Sequence, residues 1–527
     1  IFDKINVMNE NAISFSNSIN QPSSGNPVFR FVSYYLDRAS LTASFVYQGI
    51  DNIFFTEKIH FAKKSDADKK YRFNPNADPA LDQLLDSAMF FAFILIGTSY
   101  YKTHPTPAVK LDVPIDAFQA QFFSTVYQEG LSQYAFENRL TRAHLAHFQP
   151  TPNYQAKPAV KYSGQGNLAL QSGGKDSLLV AKLLKEKNIP FEPWYVTSDP
   201  SLSHPHVIDT LGDSFTHMNA SIVYREIDIT HLQKSHGLNG HVPVTFIVEA
   251  LALIQAILNN QNVVLTSIGH EGAEPHAMIG DLPVNHQWSK TWDAERFFTE
   301  YVRRYLSPEL HVGSIIRQYT ELKIAELFVQ KCWKEYGYSF SSCNEANYKQ
   351  KNQNSTLKWC GKCAKCANSY LLFCPFVPPQ YLQSLFNDED LFKKPELFDT
   401  FKGLLGVGNT MKPFECVGEV DELRTAYHHR MASPPILIED LKQFNQENNG
   451  GLISGLSEAT KRLGLGNLLK NPLSSRTSKA LSNNSSYWQP LYANLPFPVP
   501  ESNFDYNQTY ENQPFFKDFL NNYGAAN

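Results

Sequence analysis

The chain has 527 residues, 42% of them apolar and 19% charged, with 47 basic against 51 acidic side chains. That length leaves room for about two to four domains, and the composition is that of a globular protein. The near balance of charge excludes a broadly basic nucleic-acid binder and gives no pull toward an anionic membrane, so neither is expected as a partner.

Residues 1–28 are polar and aperiodic, end in QPSSGNP, and read as a flexible arm. FRFVSYYLD (29–37), SLTASFVYQG (40–49) and FFTEKIHFA (54–62) read as strands of a hairpin or meander. From Pro79 the apolar residues Leu81, Leu84, Leu85, Met89 and Phe90 take helical spacing, and a further helix is expected over about 115–136. The run at 88–98 (AMFFAFILIGT) is shorter than the roughly 18 apolar residues of a membrane span and reads as a buried core helix. Residues 29–150 are therefore expected as an α+β domain of their own.

A second region, 151–375, opens with the short apolar strand NLALQ (167–171), followed by SGGKDS (172–177) and an amphipathic helix that stops at Asn188-Ile189-Pro190. Strands at 190–198, 221–229 and 262–269 alternate with the helix VTFIVEALALIQAIL (244–258). That alternation predicts an α/β fold with a parallel sheet and crossover helices. A small helical segment is expected over 376–445, and a Ser/Asn-rich linker with an aromatic tail over 446–527.

SGGKDS falls where a strand hands over to a helix, which is where backbone N–H groups and the helix dipole attract phosphate. Gly173 and Gly174 let the backbone approach an anion. Lys175 supplies a cation, the Ser172 and Ser177 hydroxyls can donate, and Asp176 can hold magnesium or the loop's shape. The GxxxxGK[ST] pattern of kinases and GTPases is absent. The segment resembles instead the PP-loop of N-type ATP pyrophosphatases, whose pattern is SGGxDS. That resemblance implies an adenine-nucleotide-hydrolase-like sheet, cleavage of ATP between its α- and β-phosphates with magnesium, and an adenine pocket lined by the second strand, Trp194–Ser198.

Six of the seven cysteines lie between Cys332 and Cys374, and Cys416 stands apart. An odd number packed around CxxCxxC, without a secretion signal, points to metal rather than disulfides and to a reducing cytoplasm. Cys360, Cys363 and Cys366 can wrap one ion with Cys343 as the fourth thiolate, which suits a closed structural zinc site. The segment resembles the zinc site of 7-cyano-7-deazaguanine synthase, with a longer gap after Cys343; an iron–sulfur cluster is the competing reading.

NGHVPVT (239–245), VNHQWSK (284–290), WCGKCAKC (359–366) and KPFECVGEV (412–420), with FRFVSYYLD, narrow the class. Over roughly 29–430 these blocks resemble the UDP-N-acetylmuramoyl-L-alanyl-L-glutamate epimerase (MurL) family. The resemblance implies ATP-dependent inversion of the terminal L-glutamate of a UDP-linked muramoyl dipeptide through an acyl-adenylate, with release of AMP and diphosphate. Spacing leaves the epimerising bases open among His241, His270, His286, Lys290, Glu415 and Cys416. Asn285, Gln287, Trp288 and Arg317 are candidate substrate contacts, and Arg296, Arg303 and Arg317 could bind diphosphate or the glutamate side-chain carboxylate. A PP-loop ligase that modifies a nucleobase or tRNA, and a non-catalytic nucleotide-binding module, are the alternatives.

Overall fold

A computed structural model describes residues 28–62, 79–198, 220–270, 272, 274–349, 357–408, 410–430, 516 and 519. The arm expected before residue 28 and the 446–527 linker and tail lie outside these residues, apart from Phe516 and Phe519, whose rings are buried.

Eleven strands are described: β1 Phe29–Asp37, β2 Thr42–Gln48, β3 Phe54–His60, β4 Val109–Leu111, β5 Asn167–Leu170, β6 Glu192–Thr197, β7 Ser221–Glu226, β8 Val263–Thr266, β9 Ala277–Ile279, β10 Leu282–Val284 and β11 His311–Ser314. Nine of them form one sheet in the order β11-β8-β5-β6-β7-β3-β2-β1-β4, while β9 and β10 make a separate hairpin. From β11 to β7 every neighbour is parallel; β3, β2 and β1 continue the sheet antiparallel. The α/β expectation is met as a mixed fold with a large, mostly parallel sheet. The regions 29–150 and 151–375, expected as separate domains, share that sheet, because Ile59 of β3 pairs with Arg225 of β7.

The main helices are α1 Pro79–Tyr101, α2 Ala117–Gln128, α3 Ser132–Glu137, α4 Lys175–Glu186, α5 Val244–Leu258, α6 Trp292–Tyr305, α7 Glu321–Lys331, α8 Ala364–Phe373 and α9 Val420–His428. Alternation along the strands splits the interior in two. Leu168 and Val264 join the core beneath α1, α2, α5 and α6, whereas Ala169, Val263 and Leu265 join the core beneath α4, α7, α8 and α9. The result is a sheet covered by helices on both faces.

One correction concerns α1. Its 23 residues make it long and apolar enough to cross a membrane, which the shorter 88–98 stretch did not suggest. Its surroundings are protein. Tyr47 and Tyr127 donate their hydroxyls to the Phe93 and Ile94 carbonyls at 2.8 Å each, and Phe91 stacks on Tyr301 with centroids 4.1 Å apart. Each such fully buried side chain contributes about 1.5–3 kcal/mol.

The seam between the parallel and antiparallel parts carries a buried ion pair. Arg225 bonds Glu57, Tyr100 donates its hydroxyl to the same carboxylate at 2.7 Å, and Arg225 also donates to Ser99 Oγ at 3.1 Å.

Candidate active site

In open parallel sheets, ligands bind beyond the carboxyl ends of the strands where the winding direction changes. Here the chain leaves β5 for β6 and β7 on one side, while β8 and β11 lie on the other. A cleft of about 530 Å³ opens at that point, lined by residues that follow β5 (Gln171, Ser172), β6 (Ser198) and β8 (Ser267, Ile268).

The glycine turn forms one wall. Gly173 has φ +74°, a conformation that favours glycine, and Gly174 caps α4. A Cβ on Gly174 would lie 2.9 Å from Ser342 Oγ, so the segment before Cys343 presses on the turn. Ser177 is buried and closes the loop, donating to the Gly174 carbonyl at 3.2 Å and accepting from the Ser172 amide at 3.3 Å. Ser172 and Asp176 reach the cleft. Lys175 is buried and salt-bridges Asp176 at 2.7 Å and Glu321, the first residue of α7. Burial pushes its ammonium down, but the two carboxylates prevail and hold it above the ordinary lysine range.

A second wall carries acid–base groups. His286, Lys290, Glu415, Cys416 and His241 all line the cleft. Cys416 Sγ lies 3.7 Å from His286 Nε2, and the His286 and His241 rings are 4.3 Å apart. Gln133 Nε2 donates to Glu137 at 2.7 Å, which turns Gln133 Oε1 toward His286 Nδ1 at 2.6 Å. Nδ1 then carries the proton, and Nε2 offers its lone pair to the thiol. Burial pushes the Cys416 thiol up, but Lys290 and Lys365 outweigh it and hold the thiol below its ordinary range. Burial, aided by the His286 and Lys102 charges, holds His241 well below the histidine range and neutral.

The segment bearing Cys416 is strapped in place. Phe414 packs on Phe136 with centroids 5.6 Å apart, Val417 N donates to Gln287 Oε1 at 2.9 Å, and Gly418 N donates to Asn368 of α8 at 3.0 Å. Gln287 lines the cleft, whereas Asn285 is buried and braces the loop. Its amide bonds the Gly272 carbonyl, and its Oδ1 accepts from Gln287 N at 2.8 Å.

Other expected contacts lie elsewhere. Trp288 turns away onto Phe246, with centroids 5.3 Å apart. Arg317 is 1% exposed and is consumed by Glu295 and by the carbonyls of Gly269, Lys290 and Thr291. His270 is buried outside the cleft, and burial with the Arg317 charge pushes it down to about 3. Arg296 and Arg303 line a separate open groove on α6. Trp194, from the strand expected beside the adenine, and Lys365, within the WCGKCAKC block, line the cleft, which adds residues that the motifs did not point to: Lys102, Gln133 and Glu249.

Cys343, Cys360, Cys363 and Cys366 place their sulfurs within 4.8 Å of one another, with neighbouring pairs at 3.5–3.7 Å. Zinc–thiolate bonds of about 2.3 Å in a tetrahedron set sulfurs about 3.8 Å apart, so the four fit one metal ion with no position left open. The knuckle touches the site twice. Ser341 N donates to the Gly173 carbonyl at 3.2 Å, and Lys365, between two of the cysteines, reaches the cleft.

A cleft lined with proton-transfer groups over a mostly parallel sheet defines an α/β enzyme, and its relatives are epimerases. Residues 21–315 match the MurL N-terminal domain and residues 339–442 the MurL C-terminal domain. A UDP-N-acetyl-alpha-D-muramoyl-L-alanyl-L-glutamate epimerase of Salinispora tropica is 30% identical over 334 residues, 62% of this chain and 70% of its own. Enzymes of the same name from a Micromonospora species and Xanthomonas oryzae pv. oryzae are 30% and 29% identical, covering 75% and 65% of this chain and 84% and 74% of theirs. The chain belongs to the UDP-N-acetyl-alpha-D-muramoyl-L-alanyl-L-glutamate epimerase family.

Proposed function

We propose that this chain inverts the terminal glutamate of UDP-N-acetylmuramoyl-L-alanyl-L-glutamate, a peptidoglycan precursor, after ATP has activated the glutamate α-carboxylate as an acyl-adenylate. One observation carries the reading: the glycine turn and the Cys416–His286 pair open onto the same cleft. Carboxylate activation and proton removal can therefore act on adjacent carbons.

The order of events follows from electrostatics. Taking the Cα proton beside a free carboxylate would create a dianion. Transfer of AMP to the carboxyl oxygen, with loss of diphosphate, leaves a neutral acyl group that spreads the carbanion's charge onto its carbonyl oxygen. The turn at 172–177 supplies amides for the phosphates, and Asp176 is the carboxylate that would hold magnesium. Lys290 and Lys365 offer positive charge to phosphate or enolate oxygen. The Cys416 thiolate, with His286 holding its proton, takes Hα; return of a proton on the opposite face inverts the centre. Water then hydrolyses the anhydride and makes turnover one-way. Zinc in the four-cysteine site is structural in this scheme. The nucleobase-modifying alternative finds no support among the relatives.

Incubation with ATP, magnesium and UDP-N-acetylmuramoyl-L-alanyl-L-glutamate in deuterated water is expected to give AMP, diphosphate and D-glutamate deuterated at Cα. Inversion without AMP formation would overturn the activation step.

A further inference from the structure

We infer that Glu249 is the second acid/base group of the epimerisation, serving the face of the substrate Cα that Cys416 does not. The inference rests on the proposed function above. Glu249 sits on α5 among the buried residues Phe246, Ile247, Ala250 and Leu253, and is 3% exposed. It nevertheless lines the cleft, and among the described residues no hydrogen bond or ion pair joins its carboxyl. The charged groups facing it are Glu295 and Arg317, which pair with each other, and Lys290, which also stands beside Cys416.

A buried polar group without a partner costs about 1–3 kcal/mol, so its retention calls for a ligand. Three other residues that line the same cleft carry buried polar atoms without partners: Gln171, through Nε2 and Oε1, Trp194 and Thr266. Trp194 Nε1 on β6 and Thr266 Oγ1 at the end of β8 both belong to residues at most 2% exposed. Four unpartnered polar side chains, Glu249 of α5, Gln171 after β5, Trp194 of β6 and Thr266 of β8, thus border one space.

Inversion needs two groups in opposite protonation states. A base removes Hα from one face while the C–H electron pair enters the activated acyl group. An acid then delivers a proton to the other face, the pair returns to carbon, and the charge balances with no oxidant. Burial first, and the Glu295 carboxylate second, hold the Glu249 carboxyl well above the ordinary glutamate range, against Arg317 and Lys290. Cys416 is shifted the opposite way. Thiolate and carboxylic acid thus coexist at neutral pH, the pairing that assigns base and acid within one site.

The test uses the full chain and the Glu249→Gln and Cys416→Ser variants with ATP, magnesium and either epimer of the substrate in deuterated water. Both variants are expected to keep isotope exchange between diphosphate and ATP, and to form inverted product at least about 100-fold more slowly than wild type. Each should wash deuterium into one epimer without inverting it, and the two variants should favour opposite epimers. Glu249→Asp, which keeps an acid at shorter reach, should recover part of the inversion. Inversion by Glu249→Gln within about tenfold of wild type overturns the assignment, as does loss of the diphosphate exchange in both Glu249 variants. Wild-type chain that inverts without AMP sinks the adenylation reading, while the epimer-specific wash-in still judges Glu249.

Discussion

At Cys416 two influences oppose each other: burial favours the neutral thiol, and the ammonium groups of Lys290 and Lys365 favour the thiolate and win. Removing a cation reverses that outcome. Lys290→Met is expected to raise the thiol's pKa and slow iodoacetamide labelling of Cys416 at pH 7 by roughly tenfold per unit shifted, with the rate recovering above pH 9. Peptide-level mass spectrometry separates this site from the buried Cys332 and Cys374, whose thiols burial pushes up. Unchanged labelling would remove Lys290 from the thiolate's support. Glu249 carries the opposite shift and a stability consequence. Its folded pKa lies above its unfolded value near 4.3, so stability is intact below about pH 4 and falls as pH rises toward the folded pKa. Glu249→Gln, which has no proton to take up on folding, should therefore melt higher than wild type at pH 7, by an amount corresponding to about 1 kcal/mol or more, and match it near pH 3.5. Melting curves at the two pH values read the difference directly.

At the scale of elements, the cysteine knuckle and the glycine turn behave as one unit. Ser341 bonds the Gly173 carbonyl, Ser342 crowds Gly174, and Cys343 follows at once. A metal that fixes Cys343 thereby fixes the back of the turn. Cys366→Ser is expected to lose about one zinc per chain, lower the melting temperature by more than about 5 °C, and speed amide exchange across residues 173–177. Elemental analysis and hydrogen exchange test both halves, and retention of full zinc would refute the four-thiolate site. These two elements were legible in the sequence because each is a short string whose spacing carries its chemistry. His286 and Lys290 were legible as polar residues beyond a strand's end, and Glu415 and Cys416 only as an acid and a thiol set apart from the cysteine cluster. What sequence could not supply is the direction of a side chain. Asn285 and Trp288 flank His286 in the chain yet brace the loop and pack on Phe246. Arg317 reads as a free cation but is held by Glu295 and three carbonyls. Glu249 was visible as the one acid in an apolar helix, a signal whose meaning depends on finding no partner in space.

Across the whole molecule, the antiparallel strands complete the parallel sheet rather than forming a neighbour to it. Strand and helix periodicity give β1–β3 and β5–β8 as local patterns, but the pairing of Ile59 with Arg225 leaves no mark in either stretch. The chemistry of the seam did leave one: an acid in the middle of β3 and an arginine near the end of β7 face the same interior and neutralise each other. Arg225 and Ser99 also line the cleft, so the seam ties the antiparallel strands to the floor of the site. Breaking a buried pair by removing one partner costs about 3–5 kcal/mol, because the remaining charge is stranded; replacing both partners with apolar residues costs far less. Glu57→Ala is therefore expected to lower the midpoint of denaturant unfolding of the whole chain, whereas Glu57→Leu with Arg225→Met should recover most of that loss. The unfolding should remain a single transition for residues from both sides of the seam, followed at Trp194 on the parallel side and at a tryptophan introduced on the antiparallel side as Tyr34→Trp, each as the single tryptophan of its variant. Two separated transitions would show that the strands at 29–60 and those at 167–314 fold as independent bodies, and that the sheet is joined without being one cooperative unit.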